Sequence, residues 1–429
     1  MTTSARVFTT ALAAAAVFGS LTVGAPTATA APTAEQATQG LPLGDADLAE
    51  TRTDRTLARG VTLTRIVRGT DPAPADQINT TPRGPWVVNV LTIDPRTARG
   101  HLKATYGPDL ARVEKTSDLV KSAGALAGVN ASFFTFTANP QYPGDPVGLG
   151  LFDGKLLSEP LTDPTEANLV IDANSNRVVT GHLRWTGTVR NRATGAELPL
   201  EFLNHPAVVP TACATLPDQT ACTVPGDVVR FTPEFGAATP AGAGVEVVLD
   251  RRGCVVRTAT TRGTTLSPSQ TSLQATGQDT VALLQLAKGC LRTDLAVSDE
   301  SGRKVALRSG LYGVTGRYQL TKNGEIVVPD GTGSFFDRNP RTIAGTTRGG
   351  TIVLATIDGR QTTSVGTTMA ETAAVANALG LHDAINLDGG GSTAMALGDG
   401  TVVNHPSSTG GGERAVGDAV VFVRGPVNR

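Results

Sequence analysis

Three carboxylates and two arginines carry the chemistry that this sequence offers: Asp358, Asp388 and Glu413, with Arg341 and Arg360. Each lies at the end of an apolar run or in a glycine-rich stretch, where a strand end would present it at a sheet rim. Paired carboxylates suit glycosidic cleavage, one acting at the anomeric carbon and one on the leaving group. Arginines suit a cluster of anionic oxygens, phosphate above all. Asp388 opens the run Asp388-Gly389-Gly390-Gly391-Ser392-Thr393, whose successive N–H groups are expected to form a nest for an oxyanion. Together these residues point to cleavage of a glycosidic bond whose leaving group is a phosphate. Such a group departs as a stable anion, so cationic stabilisation outweighs protonation.

A second stretch, Gly128-Val129-Asn130-Ala131-Ser132-Phe133-Phe134, ends a buried strand on an amide and a hydroxyl. Asn130 and Ser132 are expected to meet ligand hydroxyls, and Phe133 and Phe134 to plug the core. Asp145, in the Pro/Gly-rich loop 139–150, is expected to border a cleft. Thr368 and Glu371 have the spacing of a capping box, which makes Glu371 a helix-start residue and not an acid catalyst. His382 and His405 lack metal-ligand spacing and read as structural. The sequence has no G-x-S-x-G, Walker loop, dinucleotide fingerprint or EF-hand pattern. No cofactor is therefore expected to be required, and a divalent cation such as calcium has no motif behind it.

The elements that must position these residues are mostly strands. Residues 61–67 alternate, residues 86–93 form a second strand, and residues 351–357 are nearly all apolar. A helix over 369–379, stopped by Gly380, leads into a strand over 383–387, and the last strand covers 419–423. This strand–helix–strand order predicts a βαβ-like unit whose strand ends meet at one rim. The expected fold class is α+β: β-rich mixed sheets with a few short helices. Residues 59–155 and 331–429 are read as the two parts of a catalytic domain, and 156–330 as a β-rich middle region. Residues 31–58, rich in Thr, Ala, Gly and Pro, read as a flexible leader.

Composition narrows the setting. The 429 residues carry a net charge of −1 with no Lys/Arg run, which speaks against nucleic acid or a membrane surface as partner. At 4% aromatic, the chain has little material for a platform along a polysaccharide. Residues 1–30 read as a Sec-type signal peptide: Arg6, an apolar stretch over 11–23 too short to span a membrane, and Ala28-Thr29-Ala30 before the cleavage point. The protein is thus expected to be secreted, to the extracellular side. Cys213, Cys222, Cys254 and Cys290 show no CxxC spacing, so disulfides are expected over zinc. Of three connectivities, Cys213–Cys222 with Cys254–Cys290 is favoured.

Five blocks in order carry a resemblance. Gly128–Phe134, Asn339-Pro340-Arg341-Thr342, Asp358-Gly359-Arg360, Asn386-Leu387-Asp388-Gly389-Gly390-Gly391-Ser392-Thr393 and Glu413-Arg414 resemble the phosphodiester glycosidase family. The resemblance implies hydrolysis of a sugar-1-phosphodiester to free sugar and phosphomonoester, on a mixed α/β catalytic fold, in envelope or extracellular glycan turnover. It implies Asp388 as the group that attacks the anomeric carbon or activates water there. Arg341 and the loop from Gly389 to Ser392 would hold phosphate, Asn130 the sugar, and Asp358 and Arg360 would stand in or beside the site. The segment after Arg341, Ile343-Ala344-Gly345-Thr346-Thr347, lacks the histidine of the family's lysosomal member. Two other readings use the same cleft: a non-catalytic glycan-binding or wall-associated protein, and a phosphodiesterase that breaks the P–O bond.

Overall fold

The computed structural model describes residues 40–427; the expected signal segment 1–30 lies outside them. The elements belong to the compact unit Leu41–Arg429.

A twelve-stranded sheet forms the middle layer. Its centre runs, in spatial order, Trp86–Ile93, Ile352–Ile357, Arg341–Thr347, Leu381–Leu387 and Leu311–Lys322, each antiparallel to the next. Ala344 and Leu354 face one core, while Ile343, Val353 and Ala355 face another. Burial on both faces explains why residues 351–357 read as an unbroken apolar run instead of alternating. On one side lies a four-stranded sheet of Met395–Leu397, Ala125–Asn130, Asp418–Arg424 and Gly100–Tyr106. Its Val129, Val420 and Phe422 pack against Leu354, Ile385 and Leu387. On the other side helix α3 (Met369–Ala378) buries Met369, Ala373, Val375 and Ala376. Truncating any of the larger of these side chains to Ala is expected to cost about 2–5 kcal/mol.

Helix α3 begins with the expected capping box: Thr368 Oγ1 accepts from the Glu371 N–H, and Glu371 accepts from the Thr368 N–H at 2.9 Å. The strands Ile352–Ile357 and Leu381–Leu387 both pair with Arg341–Thr347 between them. They are therefore parallel to each other, with α3 as the crossover: a split form of the βαβ unit.

Between Leu183 and Val305 a four-stranded and a five-stranded sheet share a core with helix α2 (Asp279–Leu286), which Leu151, Leu156 and Leu311 of the twelve-stranded sheet also join. Disulfides join Cys213 to Cys222 and Cys254 to Cys290, the favoured pairing. The flanks of the middle region, Glu166–Asp172 and Leu311–Lys322, belong to the twelve-stranded sheet instead.

The reading of 31–58 as a flexible leader is corrected at its C-terminal end. Glu50–Ala58 is a strand paired with Val61–Arg68, and Leu41 and Leu43 are buried beside Trp86. Arg68 fastens this segment by donating to the carbonyls of Leu43 (2.6 Å) and Asp45 (3.0 Å). Glu50–Ala58 is an edge strand exposed almost throughout. Polar residues at both parities hide such a strand from any search for hydrophobic alternation. Among the described residues no helix is long and apolar enough to cross a membrane.

Candidate active site

Both sheets end at one rim. Asp388 follows the strand Leu381–Leu387, and Arg341 starts its antiparallel neighbour, so the two stand side by side. Asp358 and Arg360 follow Ile352–Ile357 at the same edge. From the other sheet Asn130 ends one strand and Asp418 begins its partner. Asn130 sews the sheets together: its Nδ2 donates to the Asp388 carbonyl (2.7 Å), and its Oδ1 accepts from Thr342 Oγ1 (2.8 Å) and the Ala394 N–H (3.1 Å). Ala131 adds to the seam, accepting from the Asp388 N–H at 2.9 Å and donating to the Asp418 carbonyl at 3.2 Å.

A cavity of about 270 Å³ opens at this rim, lined by Phe133, Ser334, Phe335, Asn339, Arg341, Arg360, Asn386, Asp388, Gly389, Gly390, Gly391 and Arg414. Asp388 is the only carboxylate among these residues, against three guanidiniums. None of Arg341, Arg360 and Arg414 forms a salt bridge among the described residues. Arg341 is buried and donates to three carbonyls, Phe335 (2.7 Å), Asp337 (2.9 Å) and Thr367 (3.3 Å). Burial and then the charge of Arg360 push its pKa down to about 10. Arg360 donates to Asn339 Oδ1 at 2.7 Å from a left-handed backbone, φ 61°, a strained conformation for a long side chain. Burial, and then Arg414, hold its pKa down too. Arginines that depress one another and lack a carboxylate partner are suited to meeting an anion.

Asp388 is enclosed by protein except toward the cavity, and burial pushes its pKa up to about 6. The Ser392 hydroxyl, the Gly389 N–H and the charges of Arg414 and Arg317 oppose that rise. Behind it Asp418 is fully buried, with one oxygen taken by the Ser132 N–H and the other by the Ser132 hydroxyl, each at 2.7 Å. Its pKa is also pushed up to about 6, by burial first and then by the charge of Asp388. Asp418 escaped the sequence reading. Its signal is a carboxylate immediately before the wholly apolar run from Ala419 to Val423. Asn386 is a second residue missed: it lines the cavity, is 1% exposed, and neither atom of its amide has a hydrogen-bond partner among the described residues.

Several candidates stand elsewhere than expected. Most N–H groups of the loop are spent within the protein: Gly389 donates to Asp388 Oδ1 (2.9 Å), Gly390 to the Pro340 carbonyl (2.9 Å), and Ser392 to the Gly389 carbonyl (3.1 Å). The glycines make room for side chains instead. A Cβ on Gly390 would lie 3.2 Å from Arg360 Nη2, and one on Gly391 would lie 2.5 Å from Arg414 Nη2. Ser392 and Thr393 are buried under the loop and do not line the cavity. Asn130 and Ser132 spend their polar groups on the seam, so neither is turned to a ligand. Asp358 is buried outside the cavity, where it accepts from Asn404 Nδ2 and the His405 N–H, each at 3.1 Å. Burial pushes its pKa up to about 6.

Glu413 turns away from the cavity to accept from the Ser117 N–H (3.0 Å) and hydroxyl in the first turn of α1 (Thr116–Ser122); its neighbour Arg414 faces the cavity. Asp145 is sealed in, paired with His205 Nδ1 at 2.7 Å. His405 Nδ1 contacts Gln361 Oε1, and His382 Nδ1 meets Asp383 Oδ2 at 2.7 Å. Among the described residues no three His, Cys, Asp or Glu side chains are grouped as metal ligands.

Fold and site together are those of a β-rich protein with short helices, whose arginine-rich cavity lies at the rim shared by two of its sheets. Residues 243–423 match the phosphodiester glycosidase family model. That span holds four of the five motif blocks; Gly128–Phe134 lies outside it. A protein of Burkholderia pseudomallei assigned as exported is similar in structure, with a TM-score of 0.76 and 28% identity over 90% of this chain and 98% of that one. A hypothetical protein from Synechocystis has a TM-score of 0.66 and 19% identity, covering 88% of this chain and 65% of its own. The catalytic domain of zebrafish N-acetylglucosamine-1-phosphodiester alpha-N-acetylglucosaminidase gives 0.42 and 12%, over 88% of each. No curated protein sequence matches the chain.

Proposed function

We propose that this protein is an exported hydrolase that cleaves the glycosidic bond of a sugar-1-phosphodiester, releasing free sugar and a phosphomonoester. One observation carries the reading: a single carboxylate, Asp388, lies in a cavity with three arginines that have no acidic partner. In this reading the phosphate oxygens engage Arg341, Arg360 and Arg414, and the anomeric carbon faces Asp388. The bond from that carbon to the phosphate oxygen breaks, and its electron pair leaves with the phosphate, where the guanidiniums stabilise it. The oxygen of water becomes bonded to the anomeric carbon. Either Asp388 takes the proton of that water, or its carboxylate bonds the carbon first and water then releases the sugar. Both routes use the ionised carboxylate, so activity rises as pH rises through about 6.

The position of Asp358 outside the cavity fits a leaving group that needs no acid. A neighbouring cavity of about 680 Å³ shares Ser334, Asn339 and Arg360 with the first and offers room for the alcohol half of the diester. The two disulfides and the exported relative support a place outside the cell. The test is release of sugar from a nitrophenyl sugar-1-phosphodiester by the mature protein, lost in Asp388→Asn. Full activity in that variant would sink the assignment. An arginine-lined cavity also suits attack at phosphorus. Reaction in heavy-oxygen water separates the two, because glycosidic cleavage labels the sugar and P–O cleavage labels the phosphate.

A further inference from the structure

We propose that Phe136 is a positioning residue: its ring and the Gly391 backbone form a slot that holds the Arg414 guanidinium in the anion cavity. The proposal rests on the reading that the cavity binds phosphate. Arg414 Cζ lies 4.7 Å from the centre of the Phe136 ring. A Cβ added to Gly391 would fall 2.5 Å from Arg414 Nη2 and 2.7 Å from its Cζ. The cation therefore has an aromatic ring and bare backbone as near neighbours. Glu413 is tied to Ser117 and Ala415–Val416 pairs with Glu114–Lys115, but the Arg414 side chain itself makes no hydrogen bond among the described residues. Gly410, Gly411 and Gly412 precede it with φ of 89°, 79° and 81°, and a Cβ on any of them would meet nothing within 4 Å. Arg414 also makes no salt bridge among the described residues.

Phe136 is an odd residue for mere stability. It is 40% exposed and sits at φ 47°, in the left-handed region where a bulky side chain is a genuine outlier. Strain of this kind persists where the surroundings enforce it and clusters at functional sites. The loop does enforce it: the Phe136 N–H donates to the Pro143 carbonyl at 2.9 Å, and Thr135 Oγ1 to the Tyr142 carbonyl at 2.8 Å. Phe134 meets the ring edge-on at 5.8 Å and sets its plane. Where Arg414 stands matters to both of its charged neighbours, because its charge opposes the rise of the Asp388 pKa and depresses that of Arg360. Without the ring, the guanidinium is free to leave the cavity for solvent.

The experiment uses the mature chain and two readouts: inorganic phosphate binding by titration calorimetry, and kcat and KM on the nitrophenyl diester. A cation–π contact of this type is worth about three- to thirty-fold in affinity. Phe136→Ala and Phe136→Leu are expected to weaken phosphate binding and raise KM by about tenfold within that range, with kcat within about twofold. Phe136→Trp, which keeps the aromatic face, restores both. In an Arg414→Ala background, Phe136→Ala has no further effect. Wild-type phosphate affinity in Phe136→Leu, or a Phe136→Ala effect that persists without Arg414, overturns the proposal. If no diester is cleaved but phosphate binding follows this pattern, the slot stands and the proposed reaction falls. If diester cleavage proceeds and the Phe136 variants match wild type, the slot falls and the reaction stands.

Discussion

The cavity and the carboxylate cluster around Asp145 are opposites in charge. In the cavity three guanidiniums face one carboxylate and open toward solvent. In the cluster two buried carboxylates, Asp145 and Glu159, share one histidine, His205. Glu159 accepts the Leu203 N–H at 2.8 Å, yet burial still pushes its pKa up to about 8, and burial raises that of Asp145 as well. Burial pulls the His205 pKa down, but Asp145 and then Glu159 outweigh it, and the net shift is upward. Excess charge with nowhere to go is relieved by a proton. Excess charge that borders an open cavity, and cannot shed its proton at neutral pH, leaves room for relief by a ligand.

Asp388→Asn breaks the cavity side most severely. It is expected to lower kcat/KM by at least about 10³-fold while raising the melting temperature at pH 7.5. The sign follows from a folded-state pKa of about 6, above the ordinary carboxylate range. Ionisation costs the folded state stability that is intact below about pH 4 and lost as pH rises through 6. The gain in the variant is at most about 2–3 kcal/mol at neutral pH, and it vanishes in acid. Arg341→Gln is next. Wild type should gain about 2.7 kcal/mol in phosphate at a hundred times its Kd, measured as a shift of the thermal or urea transition. The variant should lose most of that gain, and an unchanged gain would remove Arg341 from the anion site.

His205→Ala tests the carboxylate cluster. It removes the hydrogen-bond partner of Asp145 and is expected to cost about 2–3 kcal/mol at neutral pH, with kcat/KM within about twofold. The cost should shrink as pH falls and both carboxylates take up protons; a cost independent of pH would break the contrast. The smallest effect belongs to Asp418→Asn. The charges of Asp388 and Asp418 repel, so neutralising one eases ionisation of the other. The acid limb of the pH–rate profile should move down by about half a unit, and an upward shift would contradict the coupling.

The sequence revealed more of the rim than of the directions in which its residues point. Asp388, Arg341 and Arg360 were legible because charges that interrupt apolar strands end up at sheet edges. Glu413 and Arg414, adjacent in sequence, face opposite ways, and Asn386 lies on the strand that leads into Asp388, two positions before it. A motif marks such a neighbourhood without saying which member meets the cavity. Asn130 was misread for the same reason: an amide at a strand end serves a ligand or a seam equally well until the second sheet is in place. The glycines read as donors of N–H groups, whereas their missing side chains are what the arginines use. The edge strand Glu50–Ala58 was hidden because it buries too little to leave a pattern.

The seam at Asn130 also bears on when the cavity can form. Its three side-chain hydrogen bonds close loops of 258, 212 and 264 residues, and Asp418 in the adjoining strand is later in the chain than all of their partners. Contacts of such separation form late and slowly. A chain made from its N-terminus thus has no assembled cavity until residue 418 has emerged and the two sheets have met. Whatever phosphate it meets before that point finds nothing assembled to hold it.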